Sequence, residues 1–182
     1  MKIISSLISA ICIFALGVSQ NVELPTEIAS DAEEYIEEHV ACSINAKSVS
    51  IEEIVSSEVP FYGENCAEIL LRILEDNGLE AIYYGTTDDD FYLAGISGID
   101  TSGAKVADEL IPFLTENEIE YEEKVNEEGL LGEFDFTESA GWVYTVNGEM
   151  PDVGMNSYIP QDGDEIEFIF TLYYGEDIYL ID

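Results

Sequence analysis

Positive charge is nearly missing from this chain. Five Lys and Arg residues stand against 40 Asp and Glu, for a formal net charge of −35. Nucleic acid is held through clustered Lys and Arg on phosphates, so it is excluded as a partner. Anionic membrane surfaces are disfavoured on the same ground. Histidine is missing too, apart from His39. That residue sits in a strand-like run beside an acidic stretch, with no second His and no reactive Cys. Histidine-based nucleophilic catalysis therefore has no parts. GxSxG, P-loop and HExxH motifs are absent. Carboxylates are so abundant that no pair stands out as a glycosidase dyad. The expectation is a protein that is not an enzyme, with no catalytic residue, no metal site and no cofactor.

Long apolar runs are also lacking, except at the start. Met1-Lys2 is a short positive opening, Ile3–Val18 is apolar with small residues, and Gly17-Val18-Ser19 offers a cleavage site. Residues 1–19 read as a secretory signal peptide. A membrane anchor is the alternative, but the run is short and carries Ser5, Ser6 and Ser9. The expected location is secreted or extracellular, with no membrane span once the signal is removed. Of three cysteines, Cys12 leaves with the signal and Cys42 and Cys66 remain. In an oxidising compartment the even pair points to a disulfide. Two buried thiols are the alternative.

What is present is patterned. Residues 20–35 form an acidic leader. His39–Asn45 alternates as a strand, and Ser50–Ser57 reads as a second short strand or a loop. Asn65 with Glu68 is a capping-box pair. It opens a helix whose stripe is Cys66, Ile69, Leu70, Ile73 and Leu74, with Gly78 at its end. Leu79–Tyr84 and Phe91–Ile96 read as strands around Asp88-Asp89-Asp90. At an offset of forty residues the chain matches itself, which reads as an internal repeat, the alternative being two amphipathic helices that share a period by chance. Leu70-Leu71 meets Leu110-Ile111, Ile73-Leu74 meets Phe113-Leu114, Asp76-Asn77 meets Glu116-Asn117, and Leu79-Glu80 meets Ile119-Glu120. Pro112 departs from the first copy and should shorten the second helix, Lys105–Asn117. Strands are expected at Ile119–Val125 and Leu130–Phe136.

The last block is Gly141–Phe170, GWVYTVNGEMPDVGMNSYIPQDGDEIEFIF. Gly141–Val146 and Glu165–Leu172 alternate as strands. Asn147-Gly148 tolerates positive φ, so the chain can reverse there, and Asp162-Gly163 marks a second reversal. This block resembles the small domains related to the C-terminal domain of transcobalamin and intrinsic factor, in the soluble-ligand-binding β-grasp group. Their secreted bacterial members read GWxYxVNGxxPxxGxxxYxLxDGDxIEWxY. Gly141, Trp142, Tyr144, Val146, Asn147, Gly148, Pro151, Gly154, Tyr158, Asp162, Gly163, Asp164, Ile166 and Glu167 fall at matching positions.

The resemblance implies an α+β, β-grasp-like fold. Together with the repeat it suggests two units, each a small mixed sheet packed on one helix. The first, residues 36–100, is truncated; the second, residues 101–182, is complete. One domain with an inserted helix is the alternative. In the two cobalamin carriers this domain covers one face of the corrinoid, and a helical barrel, which this chain lacks, supplies most of the grip.

The candidate ligand residues are Trp142, Tyr144, Asn147 and Tyr158, with Met150 and Met155 nearby. Amphipathic aromatics can line a ligand face while their tips reach water. Trp142 reads equally as core, and Asn147 reads more readily as a turn residue. The functional expectation is a secreted, non-catalytic binding module for a small ligand, the corrinoid being the one that the resemblance supplies. The alternative is an acidic extracellular structural or adhesion-type protein that makes protein contacts and responds to calcium. Asp88–Asp90 and Gln161–Asp164 offer oxygen ligands on turns, but neither fits an EF-hand loop.

Overall fold

Two parallel strands from opposite ends of the chain set the architecture. β1 is Glu38–Ala46 and β7 is Glu165–Thr171. They pair with Ala41 opposite Glu165 and Asn45 opposite Ile169. The computed structural model describes residues 38–181. The expected signal peptide and acidic leader lie outside the described residues.

β2 (Ile51–Phe61) pairs antiparallel with β1, and β6 (Gly141–Val146) pairs antiparallel with β7. The sheet order is β2-β1-β7-β6. Period-two patterning decides which faces are buried. Val40, Cys42 and Ile44 of β1 are buried, as are Ile166, Phe168 and Phe170 of β7, while Glu165 is exposed. α1 (Cys66–Asp76) lays Ile69, Leu70, Ile73 and Leu74 into the same core. Burying each of these side chains contributes on the order of 2 kcal/mol. The capping box forms as expected. The Asn65 side chain accepts the Glu68 N–H at 3.0 Å, and the Glu68 carboxylate accepts the Asn65 N–H at 3.0 Å. Two more N–H groups at this helix end donate to the loop before β7, Cys66 to the Tyr158 carbonyl at 2.9 Å and Ala67 to that of Met155 at 3.2 Å.

A second sheet, of order β3-β4-β5, is built from β3 (Glu80–Thr86), β4 (Asp89–Ser97) and the three-residue β5 (Leu130–Gly132). The fold is thus α+β, β-grasp-like, with a small mixed sheet, a small antiparallel one and, among the described residues, two short helices. The expected partition at residues 100 and 101 needs correction, however. The four-stranded sheet takes two strands from each side of that point, and the described residues 38–181 fall in one compact unit. The cause is hydrogen bonding. The β6–β7 hairpin leaves one side of β7 open, and β1 fills it.

The repeat survives as a shared helix ending. α2 is only Ile111–Glu116, preceded by a 3-10 turn at Asp108–Leu110, with Pro112 in its first turn. It does not begin at Lys105. There the backbone is already engaged, with the Lys105 N–H donating to the Val49 carbonyl at 3.1 Å and the Ala107 N–H to that of Ser48 at 2.9 Å. At both helix ends the residue after the Asn turns left-handed, Gly78 at φ +71° and Glu118 at φ +56°. Leu79 and Ile119 then donate back to Leu74 and Leu114, each at 2.9 Å.

Two expected strands differ. Residues 119–125 form no strand. β5 stops at Gly132, because the Glu133–Phe136 segment turns, with Phe134 and Phe136 at φ +66° and +67°. Asp135, itself buried, holds that turn by accepting the Gly132 N–H at 2.8 Å and the Asn126 N–H at 2.7 Å.

Candidate functional site

Trp142 and Tyr144 point from β6 to the same side, as their spacing requires. Trp142 is only 7% exposed, its indole N–H donates to the Leu131 carbonyl at 3.0 Å, and its ring meets Phe170 edge-on at 5.4 Å. The tryptophan is therefore anchored in the core, with no free polar tip. Tyr144 is likewise buried. Its hydroxyl donates to the Val153 carbonyl at 2.7 Å, and its ring sits edge-on to Tyr158 at 6.3 Å. Burial, and then the nearby Cys66 thiol and Tyr158, push the Tyr144 phenol up. Tyr158 is pushed up as well, by burial first and then by the Asp164 carboxylate.

β6, β4 and the loop through Pro151 together enclose an apolar groove of about 240 Å3. Its lining joins Trp142, Tyr144, Met150 and Met155 to Phe91, Tyr92, Leu93 and Val153. Tyr92, Met150 and Val153 are the exposed rim, at 48%, 39% and 47%. The β4 residues were missed in the sequence because the long excursion between β4 and β6 hides their proximity. The adjacent aromatics Phe91-Tyr92 were the available signal. The Tyr92 hydroxyl donates to Glu133 at 2.6 Å, and that bond, with burial, pushes the phenol up to about 12.

Asn147 lies outside the groove. At φ +52°, followed by Gly148 at φ +80°, it forms the reversal that the dipeptide predicts. Its amide nitrogen donates to Asp164 at 2.8 Å, and its amide oxygen accepts the Glu165 N–H at 3.0 Å. These bonds lock the turn to the start of β7. Tyr158 touches Tyr144 but is not part of the groove lining.

The disulfide expectation also needs correction. Cys42 and Cys66 are free buried thiols, serving as small apolar residues between β1 and the start of α1. Burial pushes each thiol up to about 12.

The acidic turns show no convergent cation cage. Asp162 accepts the His39 N–H at 2.9 Å, and Asp164 accepts the Gln161 N–H at 2.8 Å. Among the described residues, no group of three or more His, Cys, Asp or Glu side chains could hold a metal ion. A wider depression of about 960 Å3 lies between residues 117–126 and 134–139. It is lined largely by polar groups, among them Glu118, Glu120, Glu122 and Glu138, and offers less apolar complementarity.

The fold and the groove define a small α+β protein with a mixed, β-grasp-like sheet and an aromatic surface cleft. A family described as a domain of unknown function (DUF4430) matches residues 103–171. That stretch contains β6, β7 and the intervening loop, but β1, β2 and α1 lie before it. No curated protein matches the chain. Among the described residues, no helix is long and apolar enough to cross a membrane.

Proposed function

We propose that this chain is a secreted, non-catalytic binding module whose ligand surface is the groove between β4 and β6. One observation carries the reading: four aromatic rings, two thioethers and Val153 converge on one open apolar cleft. Tyr92 and Val153 are exposed at its rim. Ligand pockets are commonly apolar concavities with a few fixed polar groups. At about 240 Å3 the cleft is smaller than the roughly 300 Å3 at which enclosed drug-sized sites begin. It suits a ring or alkyl group presented by a larger molecule. The resemblance to the transcobalamin C-terminal domain supplies a ligand that fits this mode, a corrinoid touched on one face.

Isothermal titration with cyanocobalamin tests the reading. The chain should give a saturable heat, and Val153→Glu, which sets a carboxylate on the exposed rim, should weaken binding about tenfold. No heat from the unaltered chain would reject the corrinoid. Equal binding by Val153→Glu would reject the groove.

A further inference from the structure

β3 is the outer strand of its sheet, and among the described residues nothing pairs with its free edge. Such an edge presents unpaired N–H and C=O groups and is a template for another chain. Proteins usually blunt it with Pro, Lys or bulges. Glu80–Thr86, EAIYYGT, contains neither Pro nor Lys. The sheet does have two irregularities, between Ile82 and Tyr83 and between Tyr84 and Thr86. In both, the extra residue belongs to β4. Glu80–Tyr84 therefore stays regular along its outer side. Ile82, Tyr83 and Tyr84 are 43%, 41% and 62% exposed. Tyr84 stacks on Tyr92 at 6.3 Å and Tyr83 packs on Phe91 at 5.1 Å, so the rings are held in place in advance.

Beside this strand runs a second groove, of about 480 Å3, between β3 and the end of α1. Leu71, Leu74, Leu79 and Tyr83 line it, with Glu75 and Glu80 at its border. The charge around it has one sign. Between Arg72 and Lys105 the chain carries seven carboxylates and no Lys or Arg.

We propose that the β3 edge and this groove dock an extended segment of a partner protein, one that alternates apolar residues with Lys or Arg, by strand addition. Backbone pairing along Glu80–Tyr84 supplies affinity, the Leu71–Leu79 groove receives alternate apolar side chains, and the surrounding carboxylates select the basic ones. A second copy of this chain is the wrong occupant on charge, since each copy carries a formal −35 and the copies repel.

The test uses the chain without residues 1–19 and a fluorescent peptide of alternating Lys and Val, with a Glu/Val peptide as control. Anisotropy should show saturable binding of the Lys peptide only. Ile82→Lys and Tyr84→Lys should each weaken it by about tenfold, through repulsion at the edge. Ile159→Lys, which makes the same charge change at an exposed site outside β3 and its groove, should leave binding within about twofold. Circular dichroism checks that the variants fold, and hydrogen exchange on the unaltered chain should show the β3 amides slowing when the peptide binds. Equal weakening by all three Lys variants, unchanged β3 exchange, or no binding at all would overturn the proposal. So would a concentration-dependent dimer in sedimentation that Ile82→Lys abolishes.

Discussion

The Tyr144 hydroxyl holds the Val153 carbonyl at 2.7 Å, across nine residues of chain. That bond ties β6 to the loop forming the far wall of the groove, so groove shape and loop order depend on one phenol. Tyr144→Phe leaves the ring and removes the donor. It should cost about 1 kcal/mol in urea unfolding. Loop amides near Val153 should also exchange faster, whereas those of β7 should not.

Glu118 and Gly78 occupy equivalent left-handed positions, and the penalty falls only on the residue with a Cβ. A left-handed residue other than Gly costs roughly 1 kcal/mol. Glu118→Gly should therefore stabilise the protein by about that amount. Gly78→Ala should destabilise it similarly, although a Cβ there would meet nothing within 4 Å. Paired urea titrations decide the matter. Equal effects of the same sign would contradict it.

Asp177 is fully buried and accepts three bonds: from the Thr171 hydroxyl, from the Leu172 N–H at 2.9 Å and from the Tyr173 N–H at 3.0 Å. Its removal strands buried donors at the end of β7. Asp177→Ala should cost about 3 kcal/mol, within the range for losing a charged acceptor in a buried network. Differential scanning calorimetry reads this as a lowered Tm.

Alkaline pH should unfold the protein through its thiols. Cys42 and Cys66 have folded values raised from 9.0 to about 12. A raised value means that the unfolded chain ionises first. The stabilising contribution is complete below pH 9 and is lost as pH rises from 9 towards 12. Tyr144, shifted in the same direction, adds to the loss above its ordinary value. Stability measured across that window should fall, and Cys42→Ala should flatten the slope. Native thiols should also react slowly with a disulfide reagent at neutral pH, because the thiolate is the nucleophile.

Local patterns were legible where a side chain acts on its own backbone neighbourhood. The Asn65–Glu68 box, the Asn147-Gly148 reversal and the alternation of Ile166, Phe168 and Phe170 are all such cases. Pairing across long separations was not. Nothing near Ala41 announces that Glu165 lies beside it, and so the chain reads as two units where one sheet joins both ends. Residues 119–125 alternate well enough for a strand, yet they find no partner strand. Lys105–Ala107 looks helical, but the Lys105 and Ala107 N–H groups donate to Val49 and Ser48, and that of Val106 donates to the Glu123 carboxylate. Of the candidate site, Trp142, Tyr144, Met150 and Met155 were visible together in one block. Phe91 and Tyr92 were not, because only the tertiary fold brings β4 to β6. The disulfide inference came from counting cysteines, and counting is blind to whether two thiols pack or bond.

The groove has a built-in reporter. Apart from Met1, the chain's methionines are Met150 and Met155, and both line the groove. With 13C-methyl methionine in the chain lacking residues 1–19, a cyanocobalamin titration should move both methyl signals along one saturable curve. Methyl signals that stay fixed while calorimetry shows the corrinoid binding would place the ligand elsewhere and contradict the account.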